Sequence, residues 1–116
     1  ITRPWYMHEY QEDNLAVLNG LRHVELYTPS HGKIEHFEVT PTSIHKNGKL
    51  IAIGGVMLVW PCGVFHRVES GVNGSASINF AVHNFGFNIK TNFNIYDVDI
   101  DNGNYHVIRE GFKDQV

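Results

Sequence analysis

The chain has 116 residues and a mass of 13.2 kDa, which leaves room for one core but not for a second catalytic domain or a repeat array. With 42% hydrophobic and 18% charged residues, it is too apolar and too weakly charged to be intrinsically disordered. The net charge is −3, and the nine Lys and Arg stand singly rather than in a basic stripe, so no nucleic acid partner is expected.

The longest apolar stretch, Ile51 to Phe65, is interrupted by Gly54, Gly55, Pro61 and Gly63. It is shorter than a bilayer-spanning helix needs, so no membrane span is expected. Cys62 is the single cysteine, which excludes an intrachain disulfide. The opening Ile1-Thr2-Arg3-Pro4 does not read as a signal peptide, so a cytoplasmic protein is expected.

Residue usage favours sheet. Val, Ile and Thr number 27 and Gly and Asn 11 each, whereas Ala and Leu together reach only ten. In chain order, the acidic run Gln11-Glu12-Asp13-Asn14 reads as a solvated loop. Strands are then predicted over Leu15–Leu18, Arg22–Tyr27, Lys33–Thr40, Ser43–Lys46, Lys49–Ile53, Val56–Trp60, His66–Glu69, Ala76–His83, Phe93–Ile100 and Tyr105–Arg109. Asn47-Gly48 separates two of these runs and marks a tight hairpin, because both turn positions require positive φ. On the Ala76–His83 strand, Ile78, Phe80 and Val82 form the expected core face, with Asn79, Ala81 and His83 opposite. Many short strands with no crossover helix predict an all-β sandwich, jelly roll or small barrel spanning a single domain, 1–116.

Eight histidines, at 8, 23, 31, 36, 45, 66, 83 and 106, are the compositional oddity, since neutral imidazole is a common transition-metal ligand. In the segment from Gly55 to Ser70, Pro61 fixes φ and Gly63 permits a tight reversal, so His66 is aimed from a rigid strand start. Alternation puts His66 and Val68 on one face, which Val68 marks as interior, and Arg67 and Glu69 on the other.

This segment resembles the second motif of the cupin superfamily. Gly55, Pro61, Gly63 and His66 match its spacing, and Ser70 stands where the motif has Asn. The resemblance covers roughly Pro29 to His83. It implies a cupin double-stranded β-helix, that is a jelly-roll barrel, and pairing into a homodimer. The first cupin motif is degenerate: in its best register His31 and Glu35 occupy the second His and the Glu, while Pro29 replaces the first His and Thr42 the final Gly. Alternation supports this register by placing Glu35, Phe37 and Val39 on one face and His36 and Glu38 on the other.

The resemblance implies His66, His31 and Glu35 as a two-His, one-carboxylate set for Fe, Mn, Ni or Zn. Trp60, just before Pro61, is expected at the barrel mouth, so that His66, Glu35, His31 and Trp60 line a ligand cavity. The expected function is binding of a small molecule, with or without the metal. A mononuclear metal enzyme (dioxygenase, isomerase or lyase) is the alternative, and a non-catalytic interaction scaffold is the second.

Overall fold

The computed structural model describes residues 4–110, so the stretches 1–3 and 111–116 of the predicted domain lie outside the described residues. Two long strands organise it. β2 (Gln11–Tyr27) and β7 (Phe65–Asn79) run antiparallel along most of their lengths. β2 joins two predicted runs and takes in the acidic run, where the sequence pattern predicts a loop; β7 joins His66–Glu69 to the first half of Ala76–His83, whose end forms a separate short strand.

The other strands are β1 (Trp5–Tyr6), β3 (Glu35–Val39), β4 (Ser43–Lys46), β5 (Lys49–Ile53), β6 (Leu58–Trp60), β8 (Val82–His83), β9 (Ile95–Val98) and β10 (Tyr105–Arg109). All described pairings are antiparallel, in the order β10-β9-β1-β7-β2-β3-β4-β5, with β6 and β8 also pairing with β2. The chain is therefore all-β. A four-residue helix, α1 (Ile89–Asn92), precedes β9 and was not expected; Asn88 caps it by accepting from the Lys90 N–H. No helix among the described residues is long and apolar enough to cross a membrane.

The Asn47-Gly48 hairpin forms between β4 and β5, with φ of 51° and 83° at the two positions, as a tight two-residue turn requires. Gly20, with φ of 79°, lets β2 bend: a Cβ there would lie 2.3 Å from the Gly74 carbonyl oxygen. The β2–β7 register shifts on both sides of this glycine. Before it the buried residues are Gln11, Asp13, Leu15 and Val17; after it Val24 is fully buried and Leu26 packs on the same cluster. The irregularity thus resets the two-residue alternation, and both halves of β2 present side chains to one interior.

Leu15, Val17, Val24, Val39, Ile44, Leu58 and Trp60 form one apolar cluster, and Trp5, Met7, Tyr27, Phe65, Tyr96 and Val98 form a second. At about 1.5–3 kcal/mol for each large apolar side chain withdrawn from water, these clusters are the main stabilising term. His66 lies beside both: it follows Phe65 in β7, and its ring centroid is 5.2 Å from that of Trp60.

The predicted core face of Ala76–His83 does not form. Ile78, Phe80 and Val82 are exposed, and the opposite set of Asn79, Ala81 and His83 is exposed too. Asn79 at the end of β7 is itself exposed, yet its amide reaches in to donate to the buried Asp13 carboxylate.

Candidate metal centre

Three elements bring the site together. Asp13 comes from β2, opposite Trp60 of β6, and is 1% exposed. His66 comes from the start of β7, flanked by Tyr6 of β1 and Leu26 of β2. His8 comes from the segment between β1 and β2, where its carbonyl accepts from the Gly63 N–H at 2.8 Å. The Pro61-Cys62-Gly63 turn therefore both launches His66 and anchors the backbone of His8.

The Nε2 atoms of His8 and His66 lie 3.5 and 3.7 Å from Asp13 Oδ2. Ligands held at ~2.1 Å from one ion with tetrahedral angles are about 3.4 Å apart, so the spacing is close to what a bound cation needs. Among the described residues this is the one cluster of three ligand-bearing side chains that could hold a metal ion, and all three are buried.

Protonation follows from the other ring nitrogens. His8 Nδ1 bonds the Asn92 carbonyl, and His66 Nδ1 bonds the Val64 carbonyl at 3.2 Å. A carbonyl only accepts, so each Nδ1 carries a hydrogen, and in the neutral ring that leaves Nε2 with the lone pair a metal requires. Burial, and secondarily the neighbouring His8, push His66 down to about 4 against the opposing effects of the Val64 carbonyl and Asp13, so it is neutral near pH 7.

Asp13 Oδ1 accepts from Gln11 Nε2 at 2.8 Å and from Asn79 Nδ2 at 2.9 Å, whereas buried Oδ2 has no hydrogen-bond partner. With both imidazoles in the neutral form that a metal ligand requires, three lone-pair atoms face one another with no donor between them. Such an arrangement is costly in a buried site unless a cation joins it. The surroundings hold these ligands in place: Gln11 Oε1 accepts from Asn92 Nδ2 at 2.9 Å and from His83 Nε2 at 3.0 Å, linking Asp13, α1 and β8. The residues present fit a divalent transition metal, for which two imidazoles and a carboxylate are suitable ligands.

A cavity of about 190 Å³ opens beside the three ligands, walled by Leu15, Arg22, Trp60, Val68, Ser77 and Asn79. Of the residues singled out from sequence, His66 and Trp60 are here. His31 and Glu35 are not. Both Glu35 and His66 pair with Leu26, from opposite sides of β2. At ~4.8 Å per strand spacing, Leu26 holds their backbones roughly 9–10 Å apart, and the expected His31–Glu35–His66 grouping does not assemble.

Glu35 does face inward, as the alternation predicts, but it is satisfied locally. It meets His31 Nε2 at 2.7 Å, Asn47 Nδ2 at 2.5 Å and Lys33 Nζ at 3.4 Å. Hydrogen bonds from His31 and Asn47, with help from Lys33 and Lys46, hold its carboxyl at about 2. His8 and Asp13 were missed. The readable signal was the alternation Gln11, Asp13, Leu15, Val17, in which two polar residues extend an apolar stripe.

No family model matches the chain, and no curated protein or solved structure matches it.

Proposed function

We propose that this protein is a metal-dependent, small-molecule-binding member of the cupin type, its sheet wound as a jelly roll, with His8, Asp13 and His66 holding one divalent transition metal. The observation that carries the reading is the meeting of three buried ligand-bearing side chains at Asp13 Oδ2, which has no hydrogen-bond partner. Three protein ligands leave coordination positions open, and the 190 Å³ cavity beside them gives a small molecule access. A bound metal would supply Lewis acidity there; His8, His66 and Asp13 would orient it, and Gln11, Asn79 and Asn92 would hold the ligands. Support for the cupin assignment comes from the Pro61–Gly63 turn and His66, the residues of the resemblance, which lie at this site.

The test is elemental mass spectrometry of protein purified without an affinity tag or chelator, beside a His66→Ala variant. Near-stoichiometric Fe, Mn, Ni or Zn in the wild type and its loss in the variant are expected. A wild type that holds no metal and shows no thermal shift on metal addition overturns the reading. Oxygen consumption by the loaded protein with candidate substrates separates an enzyme from a binder.

A homodimer belongs to the same proposal. The terminal strands of the sheet order expose apolar side chains, Leu50, Ile51 and Ile53 on β5 and Tyr105, Val107 and Ile108 on β10. Apolar edges of this kind, unpaired among the described residues, favour strand addition by a second copy. Light scattering after gel filtration reads this directly, and a monomer across the working concentration range removes it.

A further inference from the structure

The proposed metal explains the end of the cavity formed by His8, Asp13 and His66 but leaves two other groups in its wall without partners. Arg22 lines the cavity from just beyond the bend of β2. Its Nε is buried without a hydrogen-bond partner, and among the described residues no carboxylate forms an ion pair with its guanidinium. The Trp60 indole Nε1, from a residue 4% exposed, is likewise unpaired. Both groups can only donate, and the guanidinium stays charged at any working pH.

The charges in the cavity are therefore unbalanced. Asp13 offsets one of the two charges of a divalent ion, an imidazole bound to a metal is a neutral ligand, and Arg22 adds another positive charge. An anion seated there would both complete the coordination of the metal and pair the guanidinium. Leu15 and Val68 also wall the space, and their apolar surface fits a carbon-bearing anion better than an inorganic one. The volume, about 190 Å³, equals roughly six water molecules and is smaller than the ~300 Å³ at which sites for drug-sized ligands begin. That limits the occupant to a few carbons.

We infer that the cavity binds a small carboxylate, with Arg22 as its anionic anchor and Trp60 Nε1 as a second donor. The inference rests on the metal reading for the far end of the ligand, but Arg22 recognition stands apart from it and is tested apart.

The experiment titrates metal-loaded protein calorimetrically with succinate, with the neutral isostere succinamide and with inorganic phosphate, re-measuring metal content afterwards. Saturable succinate binding at least tenfold tighter than succinamide is expected. Arg22→Gln should weaken succinate by roughly ten- to hundredfold, the size of a lost charge-assisted hydrogen bond, with metal content unchanged, and Arg22→Lys should fall between. Equal binding of succinate and succinamide by the wild type overturns the inference even if the variants fold poorly. Phosphate binding tighter than succinate overturns it in favour of an inorganic oxyanion site, and an Arg22→Gln protein that binds succinate as wild type does overturns it as well. Should the wild type take up no metal, the metal reading falls alone. Succinate titrated into the metal-free protein then decides: Arg22-dependent binding supports the inference, and its absence overturns it.

Discussion

His66 Nε2 stands 3.7 Å from Asp13 Oδ2 with no donor hydrogen between them, because the His66 Nδ1–H is already committed to the Val64 carbonyl. Without a cation this contact sets one lone pair against another. The bend of β2 at Gly20 and the turn at Pro61 to Gly63 hold it in place, so the rest of the fold carries its cost. Sites built this way bind metals at the expense of metal-free stability.

The sign of one substitution follows. Asp13→Asn keeps an Oδ1 to accept from Gln11 and Asn79, while its new amide donates toward the Nε2 atoms of His8 and His66. Metal-free protein should become more stable by about 1 kcal/mol, a rise of ~4 °C in Tm for a domain of this size. Metal-induced stabilisation should disappear. Thermal scans with and without metal read both effects; a destabilised metal-free variant that still takes up metal would contradict the arrangement.

Gln11 is the hub of the supporting network, donating to Asp13 and accepting from Asn92 and His83. It is buried, so Gln11→Leu conserves much of the volume while releasing Asp13 and leaving the Asn92 amide unpaired. Metal affinity should drop by roughly ten- to a hundredfold, with all three ligands still present. Competition against a chromophoric chelator measures it. An unchanged affinity would mean that Asp13 is held in place without Gln11.

Much of the sheet was legible because short-range chemistry decides it. The hairpin at Asn47 and Gly48 needs positive φ at both positions, and β4, β5 and β10 begin and end where the sequence pattern places them. His66 was legible for the same reason, since Pro61 and Gly63 act within a few residues. The partners of His66 were not. Which histidine and which carboxylate meet it depends on the pairing of β2 with β7 and on a register shift at Gly20, neither of which has a local signature. Leu26 separates Glu35 from His66 only because β2 lies between β3 and β7. The apolar alternation of Ile78, Phe80 and Val82 marks no core face because that end of the chain path is exposed on both sides, while Asn79 still reaches Asp13 through its amide.

Gly20 and Gly48 make a controlled pair, with φ of 79° and 83°. Each Ala substitution carries the left-handed backbone cost of about 1–2 kcal/mol. At Gly48 nothing lies within 4 Å of the added methyl, whereas at Gly20 the methyl would meet the Gly74 carbonyl oxygen at 2.3 Å. Gly20→Ala should therefore lose clearly more stability in urea titrations than Gly48→Ala. It should also lose metal, because moving β7 away from β2 separates His66 from Asp13. Equal losses for the two variants would show that the bend does not depend on the close approach of Gly20 and Gly74.

Glu35 separates the role expected from sequence from the one the fold assigns. His31, Asn47 and the nearby lysines lower its carboxyl from 4.5 to about 2, so the folded state favours the ionised form. A depressed carboxylate contributes stability that is fully present above its unfolded value and lost as pH falls through the folded one. The wild type should therefore lose stability progressively from pH 4.5 toward 2, and Glu35→Gln should flatten that part of the profile while being less stable than wild type at neutral pH. Because Glu35 contacts His31 and Asn47 rather than His66, the same variant should bind metal with wild-type stoichiometry at pH 7. Urea titrations across pH, paired with elemental analysis, check both halves. Loss of metal in Glu35→Gln would return the carboxylate to the His66 site and overturn the assignment of Asp13.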